Sequence, residues 1–151
     1  MSELSNRTLT IEKTFNAPVK LVWDAWTKSE HLLKWWAPNG MDLKLIKHDF
    51  KVGGQWKYAM PLPDGNVFIS EGTYKEIVEY EKIITTADFK PMTQNVELQT
   101  YFKADGKKTK FTFNVIHATA EYCKKQEEMG FYNGWGSAFN RLENVIQNLE
   151  K

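Results

Sequence analysis

The feature that most constrains the fold of this sequence is the order of its patterns. Helical spacing occurs near both ends of the chain, and strand patterns lie between them. After one strand pattern, Val19, Val22, Trp23 and Trp26 follow the i, i+3, i+4, i+7 spacing of a single helix face. Residues 131–149 repeat that spacing for roughly five turns, up to the end of the chain. A long terminal helix with one apolar face must be covered, and a sheet is the element available to cover it. The order therefore predicts a curved sheet wrapped around the last helix.

The first strand and two short helices are predicted before the middle of the chain. Residues 8–15 alternate in polarity, as half-buried strands do. Pro18 suits the first turn of a helix, where its missing N–H costs nothing. A second short helix follows, for which Thr27 and Glu30 have the spacing of a capping box.

The middle of the chain has the pattern of an antiparallel meander. Residues 63–66 (Pro-Asp-Gly-Asn) and 104–107 (Ala-Asp-Gly-Lys) supply turn chemistry between alternating runs. Gly53-Gly54 and Gly72 lie at or inside strand patterns, where glycine often marks a bulge that bends a sheet. The six further strands are predicted at 43–50, 55–60, 66–78, 82–89, 95–103 and 109–117.

Length and composition exclude several classes of protein. The 151 residues suit one domain, residues 1–151, and 20 basic against 19 acidic side chains give no field that would attract nucleic acid. The single cysteine, Cys123, cannot form an internal disulfide framework, and we expect an inert thiol. No apolar run reaches the roughly 18 residues of a membrane helix. We expect a cytoplasmic monomer or weak dimer without membrane insertion.

Catalytic and metal-binding patterns are missing from the sequence. His31, His48 and His117 are scattered at no metal-ligand spacing, and a structural role is expected for each. Gly53-Gly54 has neither the following helix nor the lysine of a phosphate-binding loop. We therefore predict no catalytic residue, no metal and no cofactor.

Polar groups of a pocket are predicted on the fourth strand. Phe68, Ser70, Gly72 and Tyr74 share one parity of the alternation, and Glu71 takes the other. If the first set faces the cavity, Ser70 and Tyr74 provide its polar groups and Glu71 lies outside.

The predicted ligand-binding residues are mostly aromatic and face the space between the sheet and the last helix. Such rings usually fill a core, but packing so many of them against one helix without voids is demanding. We therefore expect residual space at one end. The set is Trp36, Trp56, Tyr58, Met60, Phe68, Ser70, Phe113, Trp135 and Phe139.

Two glycines near the start of the last helix have two interpretations. Gly134 and Gly136 each cost a helix roughly 1 kcal/mol relative to Ala. They allow either a close approach of the helix to the sheet or to Trp35-Trp36, or a loosened first turn that admits ligand beside Trp135. We favour close approach slightly.

Several short motifs, in order, resemble the START-like (SRPBCC) superfamily, and within it the activator of heat-shock protein 90 ATPase homologue family. The motifs are Phe15-Asn16-Ala17-Pro18, Val22-Trp23-Asp24-Ala25-Trp26, Trp35-Trp36-Ala37-Pro38, residues 49–56, Met60 through Asp64-Gly65, residues 72–77, and the helix start Gly134-Trp135-Gly136. The resemblance implies an α+β helix-grip fold, in which a curved antiparallel sheet grips a long C-terminal helix, with two short helices after the first strand. It also implies a cavity between sheet and helix.

The resemblance gives three expectations for function. Related proteins bind lipids, polyketides and hormones, so we expect an apolar, lipid-like or aromatic polyketide- or flavonoid-like ligand in the cavity. The first alternative is a protein-interaction module, a chaperone co-factor or stress-response accessory. Chaperone-activating members usually have a separate N-terminal domain, for which 151 residues leave no room. The second alternative is a cyclase- or hydrolase-type enzyme of the same superfamily.

Overall fold

A computed structural model describes residues 7–36, 43–61, 65–90, 93–128 and 130–149. Within these ranges it contains seven strands and four helices. Their bounds are β1 (Thr8–Phe15), α1 (Val19–Thr27), α2 (Ser29–Trp35), β2 (Lys44–His48), β3 (Gln55–Pro61), β4 (Val67–Val78), β5 (Lys82–Lys90), β6 (Thr93–Asp105), β7 (Lys108–Ile116), α3 (Ala120–Glu128) and α4 (Phe131–Leu149).

The strands form one antiparallel sheet in the order β1-β7-β6-β5-β4-β3-β2. Strands β2 to β7 pair as consecutive hairpins, whereas β1 pairs with β7, from Thr8 opposite Ile116 to Phe15 opposite Thr109. β1 and β2 therefore lie at opposite edges, and the α1–α2 segment connects one edge to the other. This arrangement confirms the predicted α+β fold with two short helices after the first strand and a long C-terminal helix against the sheet.

The core lies between one face of the sheet and the helices. Alternate residues of β7 are buried, from Thr109 to Val115, as expected for a strand with one covered face. Helix α4 contacts α1, α2 and β1, and it buries Phe139, Leu142 and Ile146. The predicted polar face of the same helix is exposed and carries Asn133, Asn140, Asn144 and Gln147.

The predicted capping box before α2 is wrong. Helix α1 continues to Thr27, whose hydroxyl donates a hydrogen bond to the carbonyl oxygen of Trp23 at 2.8 Å. Lys28 is the residue that precedes α2, and no side-chain cap bond is found there among the described residues. The hydroxyl is unavailable because its own helix offers a carbonyl four residues back, which is a common partner for Thr inside a helix.

Gly72 marks a close contact and not the predicted bulge. The register shift in β4 falls between Tyr74 and Glu76. A Cβ at Gly72 would collide with the carbonyl oxygen of Thr86 and lie 2.9 Å from the Nε1 atom of Trp56. Glycine is required at this position because the Thr86 carbonyl and the Trp56 indole occupy the space that a Cβ would fill.

The glycine turns agree with the sequence where they are described. Asp105 pairs with Lys108, and Gly106 between them has a φ of 63° in the left-handed region. Gly53, with a φ of 82°, lies in the turn before β3 and not inside a strand. The other predicted turn, over residues 63–66, begins outside the described residues.

None of the helices in the described ranges is both long enough and apolar enough to cross a bilayer. The cytoplasmic location stays a prediction.

Close approach does not explain Gly136. Helix α4 begins at Phe131, so Gly136 lies in its second turn. A Cβ at this position would meet no atom within 4 Å outside the local helix backbone and its chain neighbours. The interpretation that we favoured from the sequence is therefore wrong for Gly136, and the surroundings of Gly134 lie outside what is described.

Substituting this glycine should stabilise the protein. Gly136→Ala should raise the free energy of unfolding by about 0.5–1 kcal/mol, because Ala loses less backbone entropy in a helix and the space is open. Urea denaturation measures the change. Gly72→Ala is the matched control and should lower stability by about 1–3 kcal/mol through the collision with Thr86. A destabilised Gly136→Ala variant would restore the close-approach interpretation.

Candidate functional site

The half-buried Trp36 stands at the centre of an aromatic cluster at one end of the core. It follows the last residue of α2, and its ring reaches across to strand β3 and helix α4. Ring centroids lie 5.9 Å from Trp56, 5.4 Å from Tyr58 and 5.7 Å from Trp135, all in edge-to-face geometry. Trp36 thereby joins a helix end, the sheet and the C-terminal helix.

Trp135 extends this cluster along the inner face of the sheet. Its ring lies 4.7 Å from Phe113 and 5.9 Å from Phe139. It also meets Phe89 at 6.0 Å, and Phe89 in turn stacks on Phe68 at 6.4 Å. The cluster therefore spans from β3 to β7.

The structure places all nine predicted residues on the inner side of the molecule. Six of them are linked directly by ring contacts, namely Trp36, Trp56, Tyr58, Phe113, Trp135 and Phe139. Phe68 joins them through Phe89, while Met60 lies opposite Phe68 and the buried Ser70 lies opposite Tyr58 in the β3–β4 ladder. Their role in binding stays a prediction.

A small cavity lies beside this cluster. Its volume is about 30 Å³, enough for one or two water-sized groups. A lipid or a multi-ring aromatic molecule therefore requires side chains to move. The lining residues are Trp26, Leu32, Trp36, Trp56, Tyr58, Tyr74, Ile83, Thr85, Leu98 and Thr100.

Sequence reasoning missed two polar residues of this lining. Thr85 stands between Ile83 and Ala87 on β5, and Thr100 stands between Leu98 and Phe102 on β6, always on the buried parity. Alternation could have found them, because an inward-facing Thr among apolar residues is the signal. The predicted polar group of Tyr74 does line the cavity.

His48 orients one of the cavity hydroxyls. Its Nε2 lies 2.8 Å from the carbonyl oxygen of Thr27, and its Nδ1 lies 2.8 Å from the hydroxyl of Tyr58. A carbonyl can only accept, so Nε2 donates to Thr27, and Nδ1 is paired with the hydroxyl of Tyr58. His48 therefore has the structural role expected from the sequence.

The two phenols of the lining remain neutral. Burial raises the pKa of Tyr58 above its ordinary value, and the neighbouring Tyr74 adds to the shift. Burial also raises the pKa of Tyr74, against a smaller opposing effect of its hydrogen bond to Tyr58. Both groups are therefore protonated at neutral pH.

Thr85 and Thr100 differ in their hydrogen bonding. The Thr85 hydroxyl accepts from the Nε1 of Trp56 at 2.8 Å, and it lies 3.0 Å from the carbonyl oxygen of Thr73. Thr100 is buried, and its hydroxyl makes no hydrogen bond to any residue that the structure describes. Thr85 thus supports the cluster, while Thr100 lines the cavity without a side-chain hydrogen bond to the described residues.

A larger groove, of about 550 Å³, lies on the outer face of the sheet. Apart from Val96 and Ile116 its lining is polar or charged, and Glu97 there is engaged by Lys75 at 3.0 Å and by Gln99 at 2.8 Å. No Phe, Tyr or Trp is among its described lining residues. The candidate site for an apolar molecule is therefore on the inner face.

The remaining titratable groups of interest lie away from the cavity. Cys123 is buried, and burial raises the pKa of its thiol, with Glu127 adding to the shift, as expected for an inert cysteine. His117 is also buried, with its Nδ1 3.1 Å from the carbonyl oxygen of Arg7.

The two buried threonines should respond differently to the same isosteric change. Thr85→Val should lower the free energy of unfolding by about 1–3 kcal/mol, because the indole N–H of Trp56 loses its buried acceptor. Thr100→Val should leave stability unchanged or raise it. Urea denaturation of both variants provides the comparison. Equal losses would show that Thr100 has a hydrogen bond that supports the fold.

His117 should make stability fall in mildly acidic solution. Burial lowers the pKa of His117 below its ordinary value of about 6.5, although its bond to Arg7 opposes the shift. The unfolded chain therefore binds the proton first as pH decreases, and stability is lost as pH falls through about 6.5. NMR titration of the ring protons gives the pKa directly, and urea titrations at two pH values should show a smaller loss for His117→Gln. A measured pKa at or above 6.5 would contradict this assignment.

Comparison with known proteins identifies the family. The sequence matches the family model for Activator of Hsp90 ATPase homolog 1-like protein over residues 16–147. The chain is similar to a crystal structure of a Nitrosomonas europaea protein, at 26% identity with 97% of each chain covered and a TM-score of 0.82. It shares its fold with a protein from Arthrobacter aurescens (22% identity, 98% of this chain and 90% of that chain, TM-score 0.85). An AHSA1-like protein from Aeromonas hydrophila also shares the fold (18% identity, 95% and 94%, TM-score 0.74). No curated protein matches the sequence. This chain belongs to the AHSA1-like family of the SRPBCC superfamily.

Proposed function

We propose that this protein binds an apolar small molecule, lipid-like or aromatic, between the inner face of the sheet and helix α4. The observation that carries the proposal is the aromatic cluster around Trp36, which is half-buried and adjoins the cavity. Binding sites for small molecules are mostly apolar with a few placed polar groups, and this lining has that composition.

Trp36 is the side chain best suited to open the site. Its neighbour Trp35 is fully buried and donates its Nε1–H to the carbonyl oxygen of Ala25 at 2.8 Å. Trp36 has ring contacts and partial exposure, and its Nε1 makes no hydrogen bond within the described residues. As far as the described residues show, moving Trp36 therefore breaks ring contacts but no side-chain hydrogen bond, and it would enlarge the 30 Å³ cavity.

The chemistry of the lining supports binding over catalysis. The described lining residues are aliphatic, aromatic or hydroxyl-bearing, and none of them is charged. Acid–base catalysis needs a group whose pKa lies near the working pH, whereas burial raises the pKa of Tyr58 and Tyr74 away from neutrality.

Indole N–H resonances provide the direct test. Titration with lipids, flavonoids and polyketide-like aromatics should give saturable shifts at Trp36, Trp56 and Trp135. Trp23 is the internal control, because it packs against Phe102 and the rings of Phe50 and Tyr80 and does not line the cavity.

Variants on α2 complete this test. Trp36→Ala should weaken binding of a responding probe by roughly tenfold, as truncation of a central aromatic contact does. Leu33→Ala on the exposed side of the same helix should not change binding. No shift with any apolar probe would contradict the proposal and favour the protein-interaction alternative.

A further inference from the structure

Arg7 lines the groove on the outer face of the sheet, and backbone contacts fix its position. Its carbonyl oxygen accepts hydrogen bonds from the backbone N–H of His117 at 2.7 Å and from the Nδ1 of the same residue at 3.1 Å. Its Nη1 donates to the carbonyl oxygens of His117 at 3.2 Å and of Ala118 at 3.3 Å. The guanidinium is therefore held in place at one end of the β1–β7 pair.

The other edge of this guanidinium has no partner among the described residues. Nε is buried without a hydrogen bond, and Nη2 makes none to any residue that the structure describes. Within the same ranges Arg7 forms no ion pair. The N–H groups of Nε and Nη2 are parallel donors, and the two oxygens of a carboxylate accept such a pair in a bidentate contact.

The acidic side chains of the groove select against highly charged anions. Glu97 and Asp88 both line it, although Lys75 balances the charge of Glu97. Their repulsion of an anion grows with the charge of that anion. A carboxylate carries one negative charge near neutral pH, whereas a phosphate group carries about 1.5–2. The lining therefore favours a carboxylate over a phosphate.

The rest of the groove suits a small polar molecule. Its volume of about 550 Å³ lies within the range of roughly 300–1,000 Å³ that is usual for small-molecule sites. Thr86 and Gln99 add hydroxyl and amide groups to the lining, and no Phe, Tyr or Trp is among the described lining residues. A ligand with a polar body is therefore better matched to this groove than a fatty acid.

We propose that the outer groove binds a small polar carboxylate, such as a hydroxy acid, whose two oxygens accept from Nε and Nη2 of Arg7. Pairing with Nε requires the groove wall to yield at that atom, which is covered in the structure. In return the buried N–H gains the acceptor that it lacks among the described residues. This site lies on the opposite face of the sheet from the proposed apolar site, so neither proposal depends on the other.

Three ligands test the inference by NMR titration at pH 7.5 and constant ionic strength. Lactate should give saturable shifts at the amides of Gln99 and Ile116 and at the ring protons of His117, which line the groove. Lactamide has nearly the same shape without the charge, and it should bind about tenfold more weakly or worse, because hydrogen bonds between charged groups are the stronger ones. Inorganic phosphate should bind more weakly than lactate. The indole signals of Trp36 and Trp135 on the inner face should not move.

Three variants locate the carboxylate. Arg7→Lys keeps the positive charge but loses the parallel donors, and it should weaken lactate binding about tenfold. Glu97→Gln leaves Arg7 in place and removes a repelling charge, so it should tighten lactate binding by about two- to fivefold, the usual effect of one exposed charge pair. Circular dichroism and urea denaturation confirm that each variant is folded.

Lys110→Gln is the matched control. Lys110 is exposed on the outward parity of β7, and it does not line the groove. It precedes Ile116 by about 20 Å along the strand, well beyond the screening length of about 8 Å at 0.15 M salt. Removing this lysine should leave the affinity for lactate unchanged.

Each result supports the carboxylate site or overturns it. Equal binding of lactate and lactamide, or no saturable shift in the groove, would overturn it. Tighter binding of phosphate than of lactate would replace the carboxylate with a phosphate. Unchanged lactate affinity in Arg7→Lys would show that the parallel donors are not used. If Arg7→Lys does not fold, Glu97→Gln decides, and unchanged or weaker lactate binding in that variant would refute the site. Lactate shifts at the inner indoles alone would also overturn this inference, while failure of the apolar probes would leave it untouched.

Discussion

Burial of aromatic rings between one face of the sheet and helix α4 is the interaction on which the rest of the structure depends. Phe111, Phe113 and Phe139 are essentially inaccessible to solvent, and they contact one another across the sheet–helix interface. Each aromatic pair contributes about 0.5–1.5 kcal/mol beyond the area that it buries. Because β1 and β2 occupy opposite edges of the sheet, α1 and α2 connect the two edges and pack beside α4.

The candidate site lies beside Trp36, where the lining of the sheet–helix interface changes from apolar to partly polar. Around Phe139 the interface is apolar, whereas beside Trp36 the lining includes hydroxyls from β3, β4, β5 and β6. A buried hydroxyl must find a partner or lose the hydrogen bonds that water gave it. Tyr58 and Thr85 find partners in His48 and Trp56, which rigidify the sheet. Thr100 has no such partner among the described residues, and it lines the cavity.

Local patterns predicted most of the fold. The first strand was predicted at 8–15 and is observed at Thr8–Phe15, and the stripe over 131–149 is observed as α4. These predictions hold because periods of 2 and 3.6 residues depend only on which neighbours share a face. Where a prediction from local sequence was wrong, a contact that the local pattern does not show determined the role of the residue. Thr27 bonds within its own helix, and Gly72 makes room for a neighbouring strand and an indole.

By itself the sequence determined the elements, their order, the family resemblance and which rings face inward, since all of these follow from spacing along the chain. The tertiary structure decided which polar groups meet. Thr85 and Trp56 are 29 residues apart, and His48 and Thr27 are 21 apart, so no spacing rule connects them. It also decided that the cavity is small and that Trp36 adjoins it. Cavity size depends on how side chains from seven strands and several helices fill a shared volume, and that is a property of the assembled core.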